Sequence, residues 1–179
     1  MPAIIINKIS KALIVGPIYD KVDYLNDLNY DHIILNGGLC NSNFEKIKEL
    51  TSTNKVIYLA SRNDYLSKDR KLFDWINTRP NIAIIEFANH KVLTMDGGIP
   101  TNVKNRNDLM DNLEISFINI DWHKSYNGGL GYVISNGPLT NGYPKFYNYS
   151  MQLGNIIGPD SKVYAQEVDE IGLKQIIPI

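Results

Sequence analysis

Three carboxylates, Asp20, Asp64 and Asp96, each lie at or near a turn that closes a short apolar run. Loops held by a rigid scaffold are where binding and catalytic groups concentrate. Three carboxylates brought together would suit a hard divalent cation. Beside them stand Arg62 and Asn63, between Ser61 and Asp64, and Asn136 follows another apolar run. A guanidinium beside a divalent cation would meet strong repulsion at low effective dielectric. The histidines add no zinc-like spacing: His32 opens an apolar run, His90 falls in a turn, and His123 follows Trp122 in a polar stretch. Cys40 is the single cysteine, and its neighbours Leu39 and Asn41 offer no base to lower a thiol pKa, which favours a packing role. It cannot form an intrachain disulfide, which fits a reducing compartment.

The elements that must position these groups alternate in the first half. Ala12–Val15, Ile33–Leu35 and Val56–Leu59 read as buried strands, each ending where glycine, proline or serine turns the chain. Helices are expected over Val22–Leu28, Phe44–Leu50 and Lys71–Ile76, the last turning Leu72, Trp75 and Ile76 inward. Strand, turn and helix in succession imply a parallel α/β sheet with right-handed crossovers. After Pro80, Ile82–Phe87 and Val92–Met95 read as an antiparallel pair. Tyr132–Ser135, Phe146–Leu153 and Lys162–Val168 read as further strands, Asn105–Asn112 as a helix and Gly128–Gly131 as a loop. Pro2–Ile6 is too short for a membrane span and lacks a basic leader, so it reads as a strand.

Bulk composition fits one globular domain over residues 1–179, with 44% hydrophobic and 21% charged residues and no repeat or linker. A net charge of -1 offers no field to gather nucleic acid or an anionic membrane. Lys68, Arg70 and Lys71 are interrupted by Asp69 and Asp74 and read as a solvated helix face. Tyr143, Phe146, Tyr147 and Tyr149 read as core or sheet surface, with a partner-binding face as the alternative.

The order of the turns resembles that of calcineurin-like metallophosphoesterases, closest to the small phage and bacterial serine/threonine and diadenosine tetraphosphate phosphatases. The resemblance runs from about Ala12 to the C-terminus and rests on five segments: Gly16-Pro17-Ile18-Tyr19-Asp20, Gly37-Gly38-Leu39-Cys40-Asn41-Ser42-Asn43, Ser61-Arg62-Asn63-Asp64, Met95-Asp96-Gly97-Gly98-Ile99-Pro100 and Ser135-Asn136-Gly137-Pro138, with Gly142 and Pro144 in similar places. It implies an α/β (α+β) sandwich, parallel βαβ in its first half and mainly antiparallel in its second. In that family two metal ions at the carboxyl ends of the strands carry the hydrolysis. Matched residue by residue, this chain has Pro17 for an aspartate ligand, Tyr19 for a histidine, Gly38 for the bridging aspartate and Arg62 for an asparagine ligand. Asn63 stands for the histidine that protonates the leaving group, Asp96 for a further histidine and Asn136 for the last one.

The turn glycines persist while the donor atoms are replaced, which implies a kept scaffold and a lost metal centre. The expectation is a pseudoenzyme with no catalytic residue, no metal and no cofactor. Pro17, Tyr19, Asp20, Gly38, Arg62, Asn63, Asp64, Asp96 and Asn136 would line its vestigial pocket. Arg62 would stand in for a metal and pair with Asp96 as a buried ion pair. Such a protein would serve as a structural or interaction module in the cytoplasm, with a protein partner or its own copies, and with neither membrane nor nucleic acid. The Asn- and Ile-rich composition and the phage relatives add a phage or viral accessory or virion protein as a reading, placing it in host cytoplasm or virion. Two alternatives stay open: a remodelled metal-dependent phosphoesterase using Asp20, Asp64, Asp96 and Asn136, and a metal-free site for phosphate or nucleotide built from Arg62 and loop amides.

Overall fold

A computed structural model of the chain describes residues 3–25, 28–96, 99–100, 120–121, 131–136, 139, 143–144, 150–154 and 163–179. In chain order the strands are β1 (Ala3–Asn7), β2 (Lys11–Val15), β3 (His32–Asn36), β4 (Val56–Leu59), β5 (Ile82–Glu86), β6 (Lys91–Met95), β7 (Ile99–Pro100), β8 (Ile120–Asp121), β9 (Tyr132–Ser135), β10 (Ser150–Gln152), β11 (Tyr164–Asp169) and β12 (Leu173–Pro178). Helix α1 spans Phe44–Leu50 and α2 spans Arg70–Ile76, with 3-10 turns at Tyr19–Leu25 and Asp64–Leu66.

One sheet has the order β12-β11-β2-β3-β4, the other β1-β5-β6-β9-β10, and β7 and β8 form a small ribbon. Strands β2, β3 and β4 are parallel neighbours, as their spacing by helical segments requires. Strands β5 and β6 pair antiparallel across the turn at Phe87–His90, and β11 runs antiparallel to both β2 and β12. Within the second sheet β9 lies parallel to β6, and β10 parallel to β9.

The period of two along β2 and β3 builds the layers. Leu13, Val15, Ile33 and Leu35 face one way, onto Phe44, Ile47, Leu72 and Ile76 of the two helices. Ala12, Ile14 and Ile34 face the other way, onto Ile6, Ala83, Ile85 and Val92 of the second sheet. The central strands are thus covered on both faces, which is why they read as unbroken apolar runs. The result is helices on a mixed sheet on a second mixed sheet, the α/β sandwich that the order of turns implies. Helix α2 starts where Asp69 accepts a hydrogen bond from the Lys71 amide at 2.9 Å, and Lys68, Arg70 and Lys71 are exposed, a solvated face as expected.

Three expectations change. The helix over Val22–Leu28 is a 3-10 turn that begins at Tyr19 and ends at Leu25, burying only Val22 and Leu25. The C-terminal segment, which the sequence leaves unassigned, is strand β12, an edge strand where Pro178 costs no ladder bond. Of Phe146–Leu153, the described strand is Ser150–Gln152, and the start of Lys162–Val168 moves to Tyr164. The expected helix Asn105–Asn112, residues 128–130 of the expected loop, His123 and the aromatics Phe146, Tyr147 and Tyr149 lie outside the described residues. Among the described residues no helix is long and apolar enough to cross a membrane.

Ile14 is fully buried between the two sheets. Replacing it with alanine leaves a cavity at the contact of the layers, and Ile14→Ala is expected to lower unfolding free energy by about 2–5 kcal/mol in urea titrations.

Candidate functional site

The five motif segments meet because each follows the carboxyl end of a strand. β2, β3 and β4 deliver Gly16–Asp20, Gly37–Asn43 and Ser61–Asp64 side by side, while β6 and β9 deliver Asp96 and Asn136 from the facing sheet. Cross-sheet bonds hold the two rims together. The buried Asn36 amide and the Thr94 hydroxyl bond each other at 2.7 and 3.0 Å, and Asn136 Nδ2 donates to the Asn36 carbonyl. Asn136 Nδ2 also donates to Asp96 Oδ1 at 2.7 Å. Of the fourth and fifth segments, Gly97, Gly98, Gly137 and Pro138 lie outside the described residues, as does Gly142.

At the centre the first two loops bond directly to each other. The Ile18 amide donates to the Gly37 carbonyl at 3.2 Å, and the Tyr19 amide to the Gly38 carbonyl at 3.1 Å. Gly38 has φ +93, and a Cβ built on it would sit 2.4 Å from the Ile18 nitrogen and 2.8 Å from the Pro17 carbonyl carbon. Only glycine permits this backbone approach. Asn43 then pins both loops, its Nδ2 donating to the Tyr19 carbonyl at 2.6 Å and the Gly38 carbonyl at 2.9 Å, while its Oδ1 accepts from the Cys40 amide at 2.9 Å. Tyr19 itself is held at φ 38, a sparsely populated conformation for a non-glycine residue.

Asp64 anchors the third loop and reaches the second. Its Oδ2 accepts from the Ser61 amide and the Tyr58 hydroxyl, both at 2.7 Å, and its Oδ1 from the Leu39 amide at 3.3 Å. The carboxyl is only 3% exposed. Burial outweighs these hydrogen bonds and, with the negative Asp96 nearby, pushes its pKa up from 3.8 to about 6. Burial likewise raises the Tyr58 and Tyr19 hydroxyls, the former well above the usual phenol range.

Arg62 departs from expectation. It contributes its main-chain amide, which donates to Asp96 Oδ2 at 3.0 Å, while its side chain is exposed and makes no ion pair with Asp96. The reason is local: the turn that sends Asp64 inward directs the Arg62 amide, not its guanidinium, toward the facing sheet. Pro17 is buried, Asp20 and Asn63 are exposed, and Asn63 sits beside the Tyr19 hydroxyl. Asn136 is buried, and its Oδ1 has no hydrogen-bond partner. Sequence reasoning assigned no role to Asn43, Asn36, Thr94 or Tyr58. An asparagine directly before the helical run at Phe44 carries a local turn signal, but Tyr58 and Thr94 read as ordinary strand residues.

A pair of divalent cations, which the resemblance implies, does not fit these residues. Pro17 and Gly38 offer no side-chain donor, and the space beside Gly38 is filled by the backbone of Pro17–Tyr19. Arg62 presents an N–H where a metal needs a lone pair, and both Asp64 oxygens already accept hydrogen bonds. Among the described residues no three His, Cys, Asp or Glu side chains gather as a ligand set, so Asp20, Asp64 and Asp96 are not brought together as one.

Fold and site together define an α/β sandwich of two mixed sheets in which the rim loops are bonded to one another. Among solved structures, the hypothetical protein PH1004 from Pyrococcus horikoshii OT3 is similar to this chain at 13% identity and a TM-score of 0.55, over 98% of this chain and 88% of that one. Vps29 from Chaetomium thermophilum is similar at 11% identity and a TM-score of 0.43, over 94% and 95%. The likeness to PH1004 shows the fold, and neither is close enough to speak for activity. No protein-family model matches the chain, and no curated protein matches it in sequence.

Two outcomes follow from the site. Gly38→Ala must adopt a left-handed backbone and push apart the Pro17–Tyr19 segment, so it is expected to lose at least about 2 kcal/mol of stability in urea titrations. For Asp64 the folded pKa lies above the unfolded one, so its contribution is fully present below about pH 4 and is lost as pH rises through about 6. Its ionisation therefore costs about 3 kcal/mol by pH 7. The stability difference between wild type and Asp64→Asn is expected to shift toward the variant by that order between pH 4 and pH 7, whatever constant offset the lost hydrogen bonds impose.

Proposed function

We propose that this protein is a catalytically inactive phosphoesterase-like module that acts through its surface, as a rigid body for a protein partner or for further copies of itself. The observation that carries the reading is the closure at Gly38, where the backbone of Pro17–Tyr19 occupies the place of a bridging carboxylate. Hydrolysis in this fold depends on a nucleophile made between two cations, and the donors that would hold them are either replaced or already bonded. The rim bonds also weigh against a metal-free phosphate site. The amides of Ile18, Tyr19, Gly37, Leu39, Ser61 and Arg62 all donate within the chain, which leaves few for a phosphate.

The test is elemental analysis of the purified protein after incubation with manganese and desalting, with hydrolysis of an aryl phosphate followed in parallel. The expected result is no stoichiometric manganese and no hydrolysis above the buffer rate. Near-stoichiometric metal with turnover abolished by Asp96→Ala would overturn the reading. Light scattering of the same sample tells self-association, a mass well above 20.3 kDa, from a requirement for a different partner.

A further inference from the structure

A cleft of about 420 Å³ opens on the side of the molecule opposite in sheet order to β10 and β12, where the two sheets present their other edges, β1 and β4. Its size is that of small-molecule sites. Ile4, Val56 and Ile57 supply apolar wall, and the loop before β5 supplies Arg79. Among the described residues no aspartate or glutamate lines it. Arg79 is half-buried, with its guanidinium 4.8 Å from the centre of the Trp75 ring, and among the described residues it forms no ion pair. Its Nε and Nη2 donate to the Thr78 hydroxyl at 3.1 and 3.0 Å, which leaves most of its five N–H donors uncommitted. The lining also includes His32, whose buried Nδ1 has no hydrogen-bond partner.

From this chemistry we infer that the cleft between β1 and β4 is a binding site for a small amphipathic carboxylate, with the head group on Arg79 and the aliphatic body along Ile4, Val56 and Ile57. An anion complements a guanidinium that has no ion pair among the described residues and whose fork matches a carboxylate. Stacking on Trp75 holds that fork in place before a ligand arrives. The apolar wall removes the hydrocarbon chain from water. The site is independent of the motif loops and stands whether or not those loops hold metal.

Isothermal titration with octanoate, below its micelle-forming range, tests the site, with octylammonium as the probe of opposite charge. Octanoate is expected to bind saturably at one site, and octylammonium at least about tenfold more weakly. Arg79→Ala, checked for unchanged urea midpoint, is expected to weaken octanoate by about tenfold. Absence of saturable octanoate binding, equal binding of octylammonium, or an undiminished affinity in a folded Arg79→Ala variant would each overturn the assignment. Should that variant fail to fold, the comparison of the two probes on the wild-type protein decides.

Discussion

The contact on which the rim of this molecule depends is the direct bonding of one loop backbone to another: Ile18 to Gly37 and Tyr19 to Gly38, with no side chain between them. It exists because Gly38 has no Cβ and can take a positive φ. Once the two backbones touch, the Asn43 amide can reach carbonyls of both, and the Leu39 amide turns toward Asp64. Amides and carbonyls alone join these loops.

Such a network has consequences for energy. Buried amides and carbonyls are costly unless paired, so each bond across the rim offsets a desolvation cost that a more open loop would not incur. Asp64 bears such a cost. It organises the turn at Ser61 and ties it to the second loop, yet its charge is held away from water, and three hydrogen bonds do not restore an ordinary pKa. Asn136 completes the join between the sheets with its two donors while its Oδ1 remains without a partner. The rim is therefore rigid where backbone meets backbone and least satisfied where the facing sheet contributes a single side chain.

The centre and the edges of the sheets differ in packing. Alternation along β2 and β3 joins helices and both sheets in one continuous packing, so the motif loops stand on fully buried strands. The edges at β1 and β4 end that packing and leave the cleft that Arg79 helps to line. Rim and cleft thus arise from one architecture, the first where strands end and the second where sheets end.

Much of this was legible in the amino-acid sequence. Apolar runs ended by glycine, proline or serine identified β2, β3 and β4, because burial on both faces leaves a continuous hydrophobic signal. That Pro17 and Gly38 carry no side-chain donor was legible too, because side-chain chemistry is local. The 3-10 turn at Tyr19–Leu25 and edge strand β12 were not, since short apolar segments suit several conformations and tertiary pairing selects among them. Nor could spacing show that Arg62 would present its amide rather than its guanidinium to Asp96, or that Asn43, Tyr58 and Thr94 would bind the loops together. By itself the sequence determined which donor atoms are present and which strands are buried. Only the tertiary structure decided which groups meet, because a hydrogen bond between residues distant in sequence depends on distance and direction, and these arise from the packing of two sheets.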